Sequence, residues 1–491
     1  MKQVIKDIAI IGSGIELHMS AAILSVALKA FGIKIVALDL PSTKPSPLVE
    51  TTGPEFSALC KILGLVERDV LRQCHGTFRL GNRYITPHND WFVPFAHLGL
   101  KAQQDDFEQG LFQVIRQQNV SDLNPWSVAA SVAMAGKFAI AGNDRPDLQQ
   151  ALDYGVQLAT KEYAIILAQT HRKLGVQWLP LSTAELSVEH DDIGNISQIS
   201  AGGHHVTADF WFDLRVGQTE HDWQDCSNEL PLTYRAQWHL AKPEVLLPYS
   251  QLQRLQGGWI KTSPLRNGRV IQAFAQQQKS NLVQIEQQIA KLALAPPDQA
   301  IQWSPVKCHV LNSPWQGNCL YLGEAAIELG GIAFSNLQCV QSALVQFIDL
   351  FPDLPIGEYN RQHYNRMWQG FVQDALDYTV AHFLPQSAHF AQQPSSLPDS
   401  LLHRLQLFER LGRLGPMHSD AVTEGQWYHL LFGLGLRPQV NSVVLSNMTE
   451  QQLQAATKQV AQSIASLVAG MPTQEQYLAR FYPPVSLQSY E

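Results

Sequence analysis

The sequence has few cysteines, few charged side chains and no long apolar run. Its 491 residues include 6 cysteines, and no two of them form a C-x-x-C pair. Scattered cysteines argue against a structural metal site or a disulfide scaffold and are typical of a reducing cytoplasm. Lys29 and Lys34 interrupt the longest apolar stretch, which therefore stays below the ~18 residues that a membrane-spanning helix needs.

Charge and histidine spacing exclude further classes of protein. The net charge of −8 at neutral pH disfavours a non-specific nucleic-acid binder, because such proteins present basic surfaces. The 17 histidines form no H-E-x-x-H or similar ligand spacing, so we expect no metal. The chain starts on a predicted strand without a signal-peptide pattern. We therefore expect a cytoplasmic globular protein of enzyme size, with no nucleic-acid or membrane partner.

What the sequence does contain is a nucleotide-binding pattern at residues 4–39. An apolar run at 8–11 predicts a buried parallel strand that leads into Gly12-Ser13-Gly14. A helix is predicted at 19–31, and a second buried strand at 33–38 ends in an acid. Such a turn lets the backbone approach a pyrophosphate at a helix N-terminus, and the acid accepts a ribose hydroxyl. The candidate cofactor-binding residues here are Gly12, Gly14, Ile15 and Asp39.

Leu17 stands where the third glycine of G-x-G-x-x-G would be. An ordinary βαβ unit with a glycine-rich turn therefore stays open as the alternative. A leucine at this position should push the helix slightly off the strand, which would loosen cofactor binding.

The rest of the chain predicts an α/β nucleotide-binding domain with a β-rich insertion and a helical C-terminal part. Because it contains Pro94, the aromatic segment 91–95 is predicted as a loop or an edge strand. We expect helices at 105–141, 148–174 and 330–349, a β-meander at 185–212, a β-rich block at 232–278 and mostly helix at 359–469.

Three motifs in order resemble the flavin-dependent tryptophan halogenases. They are E-T-T-G-P at 50–54, L-G-L at 63–65 and C-H-G-T-F-R-L-G at 74–81. The family pattern runs roughly GEAT-x-P, LGI and C-x-A-T-F-K-x-G. Residues 154–176, 210–213, 259–265, 323–341 and 397–438 resemble later segments of the same family. The likeness extends over about residues 4–440.

The resemblance implies an α/β (α+β) fold with an FAD-binding Rossmann-type domain. One halogenase-like module would span residues 1–440. Its FAD-binding segments would be 4–85, 148–216 and 305–350, and its β-rich, substrate-side segments 86–147 and 217–304. Residues 351–491 would form a mainly helical C-terminal region.

The same resemblance implies a reaction and its participants. Reduced FAD, supplied by a separate flavin reductase, would react with oxygen and halide to give hypohalous acid. The acid would reach a lysine, near a glutamate, and halogenate an aromatic or indole-type substrate. Members of the family often form homodimers, and for this chain the oligomeric state stays open.

The chain departs from the family where the chemistry takes place. Arg79 aligns with the lysine of A-T-F-K, and a guanidinium stays protonated and does not readily form a haloamine. Ala333 aligns, without gaps, with the glutamate of L-E-S-T-S. The W-x-W-x-I-P motif keeps Trp259, but Lys261 replaces its second tryptophan. In the family these tryptophans are thought to block monooxygenase-type chemistry near the flavin.

The remaining candidates follow from the aligned positions. Each has a plain structural alternative, such as a strand arginine, a helix-cap carboxylate or a core aromatic ring. The candidates are Arg79 and Lys261 for catalysis, Glu50, Gly323, Glu324, Gly330 and Gly331 for the flavin, and Phe95, Trp259, Ala333, Ser335 and Asn336 for the substrate pocket.

Three functions stay open at this point. The first is a diverged halogenase, and the second is a flavin monooxygenase or oxidase that has lost halide handling. The third is a pseudoenzyme that serves as a partner subunit, with or without flavin.

Overall fold

The computed structural model describes most of the chain. The described residues are 4–42, 44–99, 104–118, 122–142, 148, 151–182, 185–216, 223–241, 245–276, 279–296, 300–384, 397–439 and 449–483. All statements about the structure refer to these residues.

The strands, numbered along the chain, belong to five sheets. They are β1 (Asp7–Gly12), β2 (Lys34–Asp39), β3 (Val49–Thr51), β4 (Thr77–Arg79), β5 (Gly81–Ile85), β6 (Asp90–Pro94), β7 (Gly155–Ala159), β8 (Gln177–Pro180), β9 (Leu186–His190), β10 (Ile196–Ala201), β11 (His204–Val206), β12 (Phe210–Asp213), β13 (Trp223–Asp225), β14 (Leu232–Leu240), β15 (Ser250–Leu255), β16 (Gly258–Leu265), β17 (Gly268–Gln276), β18 (Ser304–Pro305), β19 (His309–Leu311), β20 (Trp315–Gln316), β21 (Cys319–Tyr321) and β22 (Ile327–Glu328).

The α-helices are numbered in the same way. They are α1 (Gly14–Ala27), α2 (Phe56–Ile62), α3 (Glu67–Gln73), α4 (Gln104–Gln118), α5 (Val128–Met134), α6 (Thr160–Lys173), α7 (Lys279–Lys291), α8 (Asn336–Asp349), α9 (Glu358–Ala381), α10 (Asp399–Leu411), α11 (Glu424–Gly433), α12 (Glu450–Ala469) and α13 (Gln474–Phe481). Within the described residues, no helix is both long and apolar enough to cross a membrane.

A mainly parallel sheet forms the centre of the nucleotide-binding part, with the strand order β20-β21-β12-β1-β2-β8. Successive side chains of β1 point to opposite faces of the sheet, and those of residues 8–11 are apolar on both faces, which explains why β1 lies in its middle. Ile8 and Ile10 pack into the main core beside α1, whereas Ala9 and Ile11 pack into a second cluster with the meander β9–β11. Both faces of the sheet are therefore covered, as a parallel sheet requires. Gly12 pairs with Asp39, so the turn and the acid lie at the same end of the sheet.

The predicted strand–turn–helix–strand unit is confirmed, with a shift in its helix. α1 begins at Gly14, directly after the turn, and ends at Ala27, where we predicted residues 19–31. A short 3-10 turn follows, and Gly32 adopts a left-handed φ of 67° that ends it. The helix therefore starts directly at the glycine turn.

Two helix predictions are wrong in part. The first half of the helix predicted at 148–174 contains β7, the central strand of the sheet β3-β7-β4, and α6 begins only at Thr160. Every residue of β7 is buried, so no polar alternation marks it as a strand. The helix predicted from Gly330 begins at Asn336. Gly330 and Gly331 have φ values of 81° and 76°, which an α-helix does not accept.

The second large sheet has the order β18-β14-β17-β16-β15-β5-β6 and carries Trp259 and Lys261 on β16. The predicted meander at 185–212 is confirmed for β9–β11, and β6 is the edge strand that Pro94 favours. Of the two segments expected to be β-rich, 217–304 carries β13–β17, whereas 86–147 carries β6 together with α4 and α5. The described parts of 351–491 contain α9–α13.

Candidate active site

The glycine turn and the end of β2 form the first part of the site. A Cβ on Gly12 would come within 2.8 Å of the Leu214 Cβ, so only glycine allows this contact between neighbouring strands. Gly14 has a φ of 67° and open space around its missing Cβ. Asp39 accepts a hydrogen bond from the Trp178 indole at 3.0 Å, and its carboxylate lies 3.9 Å from His18 Nε2. Burial raises the pKa of Asp39, although His18 and Trp178 oppose this effect. Ile15 is buried in the core, so it offers only its backbone to the turn.

Glu16 is the residue at this turn that the sequence prediction missed. It lies in the first turn of α1, and its carboxylate occupies the space beside Gly323, so a Cβ there would force the Glu16 side chain to move. Burial is the main reason that the pKa of Glu16 rises to about 8, and the negative charges of Glu324, Glu50 and Glu328 add to it. Glu16 therefore stands as a neutral acid at pH 7. An acid directly after a glycine turn is the signal that would have revealed it.

Arg235 reaches from β14 to two carboxylates beside Glu16. Its guanidinium donates to Glu324 at 2.8 Å and to Glu328 at 3.1 Å. Burial opposes ionisation of Glu324, but Arg235 and Lys44 outweigh it and lower the pKa of that carboxyl to about 2. Glu328 accepts the Gly330 N–H at 2.7 Å. Burial and the charge of Glu324 raise the pKa of Glu328. This group therefore places several carboxylates around a single guanidinium.

The predicted pocket residues near the start of α8 contact the acidic group, cap the helix or pack in the core. Asn336 donates to Glu324 at 3.3 Å and to Glu328 at 3.4 Å. Ser335 caps α8, because its side chain accepts the N–H of Gln338. Ala333 packs against the main core and carries no polar group. A Cβ on Gly331 would make only ordinary contacts with Phe274, so the φ of 76°, and not lack of space, favours glycine there.

Arg79 and Lys261 form the second part of the site. Arg79, on β4, is 3% exposed and donates to the Thr52 carbonyl at 2.9 Å and to Asn82 Oδ1 at 2.8 Å. Lys261, on β16, is 5% exposed, and its amine donates to Thr51 Oγ1 at a long 3.4 Å. β4 and β16 belong to different sheets, yet they bring Arg79 and Lys261 to the adjacent residues Thr52 and Thr51.

Burial is the largest influence on the pKa values of Lys261, Glu50 and Arg79. It lowers the pKa of Lys261 to about 7, with help from the charge of Arg79 and against that of Glu50. It raises the pKa of Glu50, a 4% exposed residue of β3, to about 7, against the charge of Lys261. It lowers the pKa of Arg79 to about 10. Near neutral pH, Lys261 and Glu50 are therefore each poised between their charged and neutral forms, while Arg79 stays charged.

Aromatic rings pack against Arg79 and the residues that it reaches by hydrogen bonds. The Arg79 guanidinium lies 4.8 Å from the ring centre of Phe95. Asn82, which accepts a hydrogen bond from Arg79, donates from its Nδ2 to the Tyr84 hydroxyl at 3.3 Å. That hydroxyl lies 2.9 Å from His382 Nε2. Trp259 packs edge to face against Tyr84 and is fully buried. Phe95 therefore packs on Arg79 itself, and Trp259 packs against Tyr84, which Arg79 reaches through Asn82.

Gln474, on the last helix, holds the strand of Arg79 in place. Its side-chain oxygen accepts the Phe78 N–H at 2.8 Å, and its amide nitrogen donates to the Leu246 carbonyl at 3.0 Å. β4 is an edge strand of its sheet, so this side chain satisfies a backbone donor that no neighbouring strand reaches. No pattern in the sequence points to a glutamine 396 residues away from its partner.

The donors at the turn fit the adenosine diphosphate half of FAD. Gly12 lets the turn pass close to the neighbouring strand, Gly14 opens α1 with free space beside it, and Asp39 stands at the end of β2. Glu16 is compatible with a pyrophosphate while it is neutral, and it opposes one when it is ionised. Among the described residues, no group of three or more metal-ligating side chains is present.

Comparisons with known proteins agree with this architecture. A family model described as tryptophan halogenase matches residues 7–450. Tryptophan 6-halogenase ThaL from Streptomyces albogriseolus is 23% identical, over 88% of this chain and 90% of the relative. Tryptophan 7-halogenase RebH from Lentzea aerocolonigenes is 21% identical, over 91% of this chain and 92% of the relative.

Solved structures show the same fold. BrvH, a flavin-dependent halogenase from Brevundimonas sp. BAL3, superposes with a TM-score of 0.86 at 20% identity, covering 98% of this chain and 99% of its own. Xcc4156, a flavin-dependent halogenase from Xanthomonas campestris, also gives a TM-score of 0.86 at 20% identity, covering 99% and 100%. These identities are low, so the structures support the fold, and the family model supports the membership. The chain belongs to the tryptophan halogenase family, whose members use FAD.

Proposed function

We propose that this protein uses reduced FAD, delivered by a separate flavin reductase, together with molecular oxygen, which is the oxidant of the halide, to halogenate an aromatic substrate. Membership of the tryptophan halogenase family supports the reaction class. The observation that carries the proposal is the burial of two cationic donors, Arg79 at the position of the family's lysine and Lys261 at the position of its second motif tryptophan. The division of the chain into FAD-binding and substrate-side segments belongs to the same proposal.

In this proposal the cofactor lies along the turn and the acidic group. Gly12, Gly14 and the backbone of Ile15 face the pyrophosphate, and Asp39 accepts a ribose hydroxyl. The backbone around Gly323, Gly330 and Gly331 faces the flavin, and Glu324 lies on its ribityl side. When bound, reduced FAD supplies the electrons with which oxygen converts halide to hypohalous acid.

Lys261 and Arg79 have different tasks. With a pKa near 7, a large fraction of Lys261 is a neutral amine at neutral pH, which can accept a proton or hold an electrophile. Arg79 stays charged and fixed by two hydrogen bonds, so it orients the electrophile as a donor. The charge of Glu50 raises the pKa of Lys261 and so sets the balance between its protonated and neutral forms. Phe95 and Trp259 are the proposed aromatic walls of the substrate side.

Two observations favour a second function, a flavin monooxygenase without halide chemistry. Ala333 offers no acid where the family has a glutamate, and Lys261 stands where the family has a shielding tryptophan. The pseudoenzyme alternative follows from Leu17 in place of the third glycine and from Ala333 and Arg79 in place of the family's glutamate and lysine. The homodimer stays a prediction that sedimentation of the purified chain would test.

A flavin titration separates these functions at the first step. Fluorescence quenching of oxidised and reduced FAD by the purified protein should give a dissociation constant in the micromolar range or below. Binding weaker than roughly millimolar supplies too little free energy to load the site and would favour the pseudoenzyme. Asp39→Asn serves as the site variant, and Asp353→Asn, an exposed aspartate on another part of the chain, serves as its matched control.

A further inference from the structure

We propose that a cavity between α9, the start of α10 and the strands β13 and β19 binds a small organic ammonium ion with an apolar body. The cavity has a volume of about 540 Å³, which is within the range of small-molecule sites. Within the described residues, it shares no lining residue with the glycine turn, the acidic group or the group of Arg79 and Lys261. The inference is therefore independent of the proposed function.

One part of the cavity wall is apolar. Val372 and Leu397 line it, and both are half-buried against the main core. Trp368 belongs to the same part of the wall, and its indole N–H donates to the Leu311 carbonyl at 2.8 Å, which fixes the ring. This part of the wall can cover the hydrocarbon body of a ligand, because removing apolar surface from water is favourable.

The polar part of the wall has used donors of its own within the protein. The Gln373 side-chain nitrogen donates to Asp377 Oδ1 at 3.1 Å and to Ser400 Oγ at 2.6 Å. The Ser400 hydroxyl in turn donates to the same Asp377 oxygen at 2.9 Å. With its nitrogen fixed in this way, Gln373 keeps its Oε1 as an acceptor that no donor of the described residues reaches. A ligand at this wall is therefore favoured when it donates hydrogen bonds.

Carboxylates give the cavity a negative charge. Glu229 and Asp399 line it, and Glu229 Oε2 is buried without a hydrogen-bond partner in the described part of the chain. The described lining residues include no lysine, arginine or histidine. On the neighbouring segments, the exposed Lys307, which is 65% accessible, and the buried Arg404 each pair with an aspartate, at 3.3 Å and 3.1 Å. The carboxylate of Glu229 thus lacks the counter-ion that a partly buried charge favours.

These features together select the chemistry of the ligand. An ammonium group carries one positive charge and up to three N–H donors, which match the acceptors that Glu229 and Gln373 leave open. An anion would meet two carboxylates and no cation. A divalent metal ion would need several oxygen ligands at once, and no group of three or more metal-ligating side chains occurs among the described residues. The apolar part of the wall then requires that the ammonium ion carry a hydrocarbon body.

The test is isothermal titration calorimetry of the full-length protein without flavin. The probe is cyclohexylethylamine, which is a cation at neutral pH, and the comparison ligand is cyclohexylpropionate, which has a similar body and the opposite charge. We expect saturable binding of the amine with a dissociation constant of roughly 1 mM or below, and no measurable binding of the carboxylate. Neither ligand is aromatic, so neither reports on the proposed substrate side.

Two variants of the wall should weaken binding by different means. Glu229→Gln removes the charge that the ammonium group meets and should raise the dissociation constant about tenfold or more. Val372→Trp fills the cavity and should abolish binding. The matched controls are Glu358→Gln, in the first turn of α9, and Val345→Trp, at an exposed position of α8, and both should bind the amine as the wild type does. Circular dichroism establishes that each variant is folded.

The proposal is overturned if the folded wild-type protein gives no saturable heat with the amine or binds the carboxylate equally well. It is also overturned if Glu229→Gln or Val372→Trp, in folded form, binds the amine as the wild type does. Flavin binding is measured separately on the same preparations. A wild-type protein that binds the amine but no FAD would contradict the proposed function and leave this site standing.

Discussion

The side-chain oxygen of Gln474 lies 2.8 Å from the main-chain nitrogen of Phe78 and accepts its hydrogen bond. This contact ties the last described helix to the residue before Arg79. We expect Gln474→Ala to lower the free energy of unfolding by about 1–3 kcal/mol, because a buried N–H loses its acceptor. Turnover should fall as well, since β4 positions Arg79. Urea unfolding and hydrogen exchange at Phe78 measure the two effects.

Gln476→Ala is the matched control for this change. It removes the capping-box partner of Thr473 on the same helix and leaves the contact with Phe78 intact. Its cost should be about 1 kcal/mol, with normal exchange protection at Phe78 and normal turnover. Equal loss of turnover in both variants would show that general stability, and not the position of Arg79, is responsible.

Glu16 should make FAD binding depend on pH. Its pKa of about 8 in the free protein means that the carboxyl is neutral below pH 8 and charged above it. A bound pyrophosphate disfavours the charged form, so affinity is full below pH 8 and falls as pH rises above 8, by up to about tenfold per pH unit. Glu16→Gln should remove this fall, whereas Glu358→Gln, in the first turn of α9, should not. Flavin titrations from pH 6.5 to 9.5 would contradict this account if wild type and Glu16→Gln behaved alike.

The rate of the chemical step should rise with pH through about 7. The neutral amine of Lys261 is the reactive form, and its fraction grows as pH passes its pKa of about 7. Because the charge of Glu50 raises that pKa, Glu50→Gln should move the rise to lower pH. Single-turnover rates with preloaded reduced flavin report this profile. If the rate rose at the same pH in wild type and in Glu50→Gln, the group whose titration controls the rate would not be Lys261.

The same pKa shift predicts how Lys261 affects stability. Burial lowers its folded pKa from 10.5 to about 7, so the folded protein binds fewer protons than the unfolded chain between these values. Stability should therefore fall as pH drops from about 10 to 7. In Lys261→Met this part of the pH dependence should be missing, whereas Lys307→Met should keep it. Urea midpoints between pH 6.5 and 10 are the measurement.

The sequence predicted those parts of the fold that local patterns determine. The turn at Gly12 and Gly14 and the acid at Asp39 are encoded by neighbouring residues, and the structure places them at one end of the sheet. β7 was predicted as helix, because a strand that is buried on both faces has no alternation to read. The start of α8 was placed too early because two glycines with positive φ precede its capping residue, Ser335.

The site was predictable only where a motif survives. Arg79 and Lys261 were found by alignment with motif positions, but their convergence at Thr51 and Thr52 depends on two different sheets. Arg235 and Gln474 reach their partners across 93 and 396 residues of sequence. Contacts at such separations follow from tertiary packing, and no local sequence pattern predicts them.

The most direct test of the central claim is product formation with reduced FAD, oxygen, a flavin reductase and bromide. Tryptophan and simple indoles serve as substrates, and mass spectrometry identifies the product. We predict a brominated product that requires bromide and is lost in Lys261→Met but kept in Lys307→Met. A hydroxylated product that forms equally without halide, or no product from flavin-loaded protein with any aromatic substrate, would contradict the account.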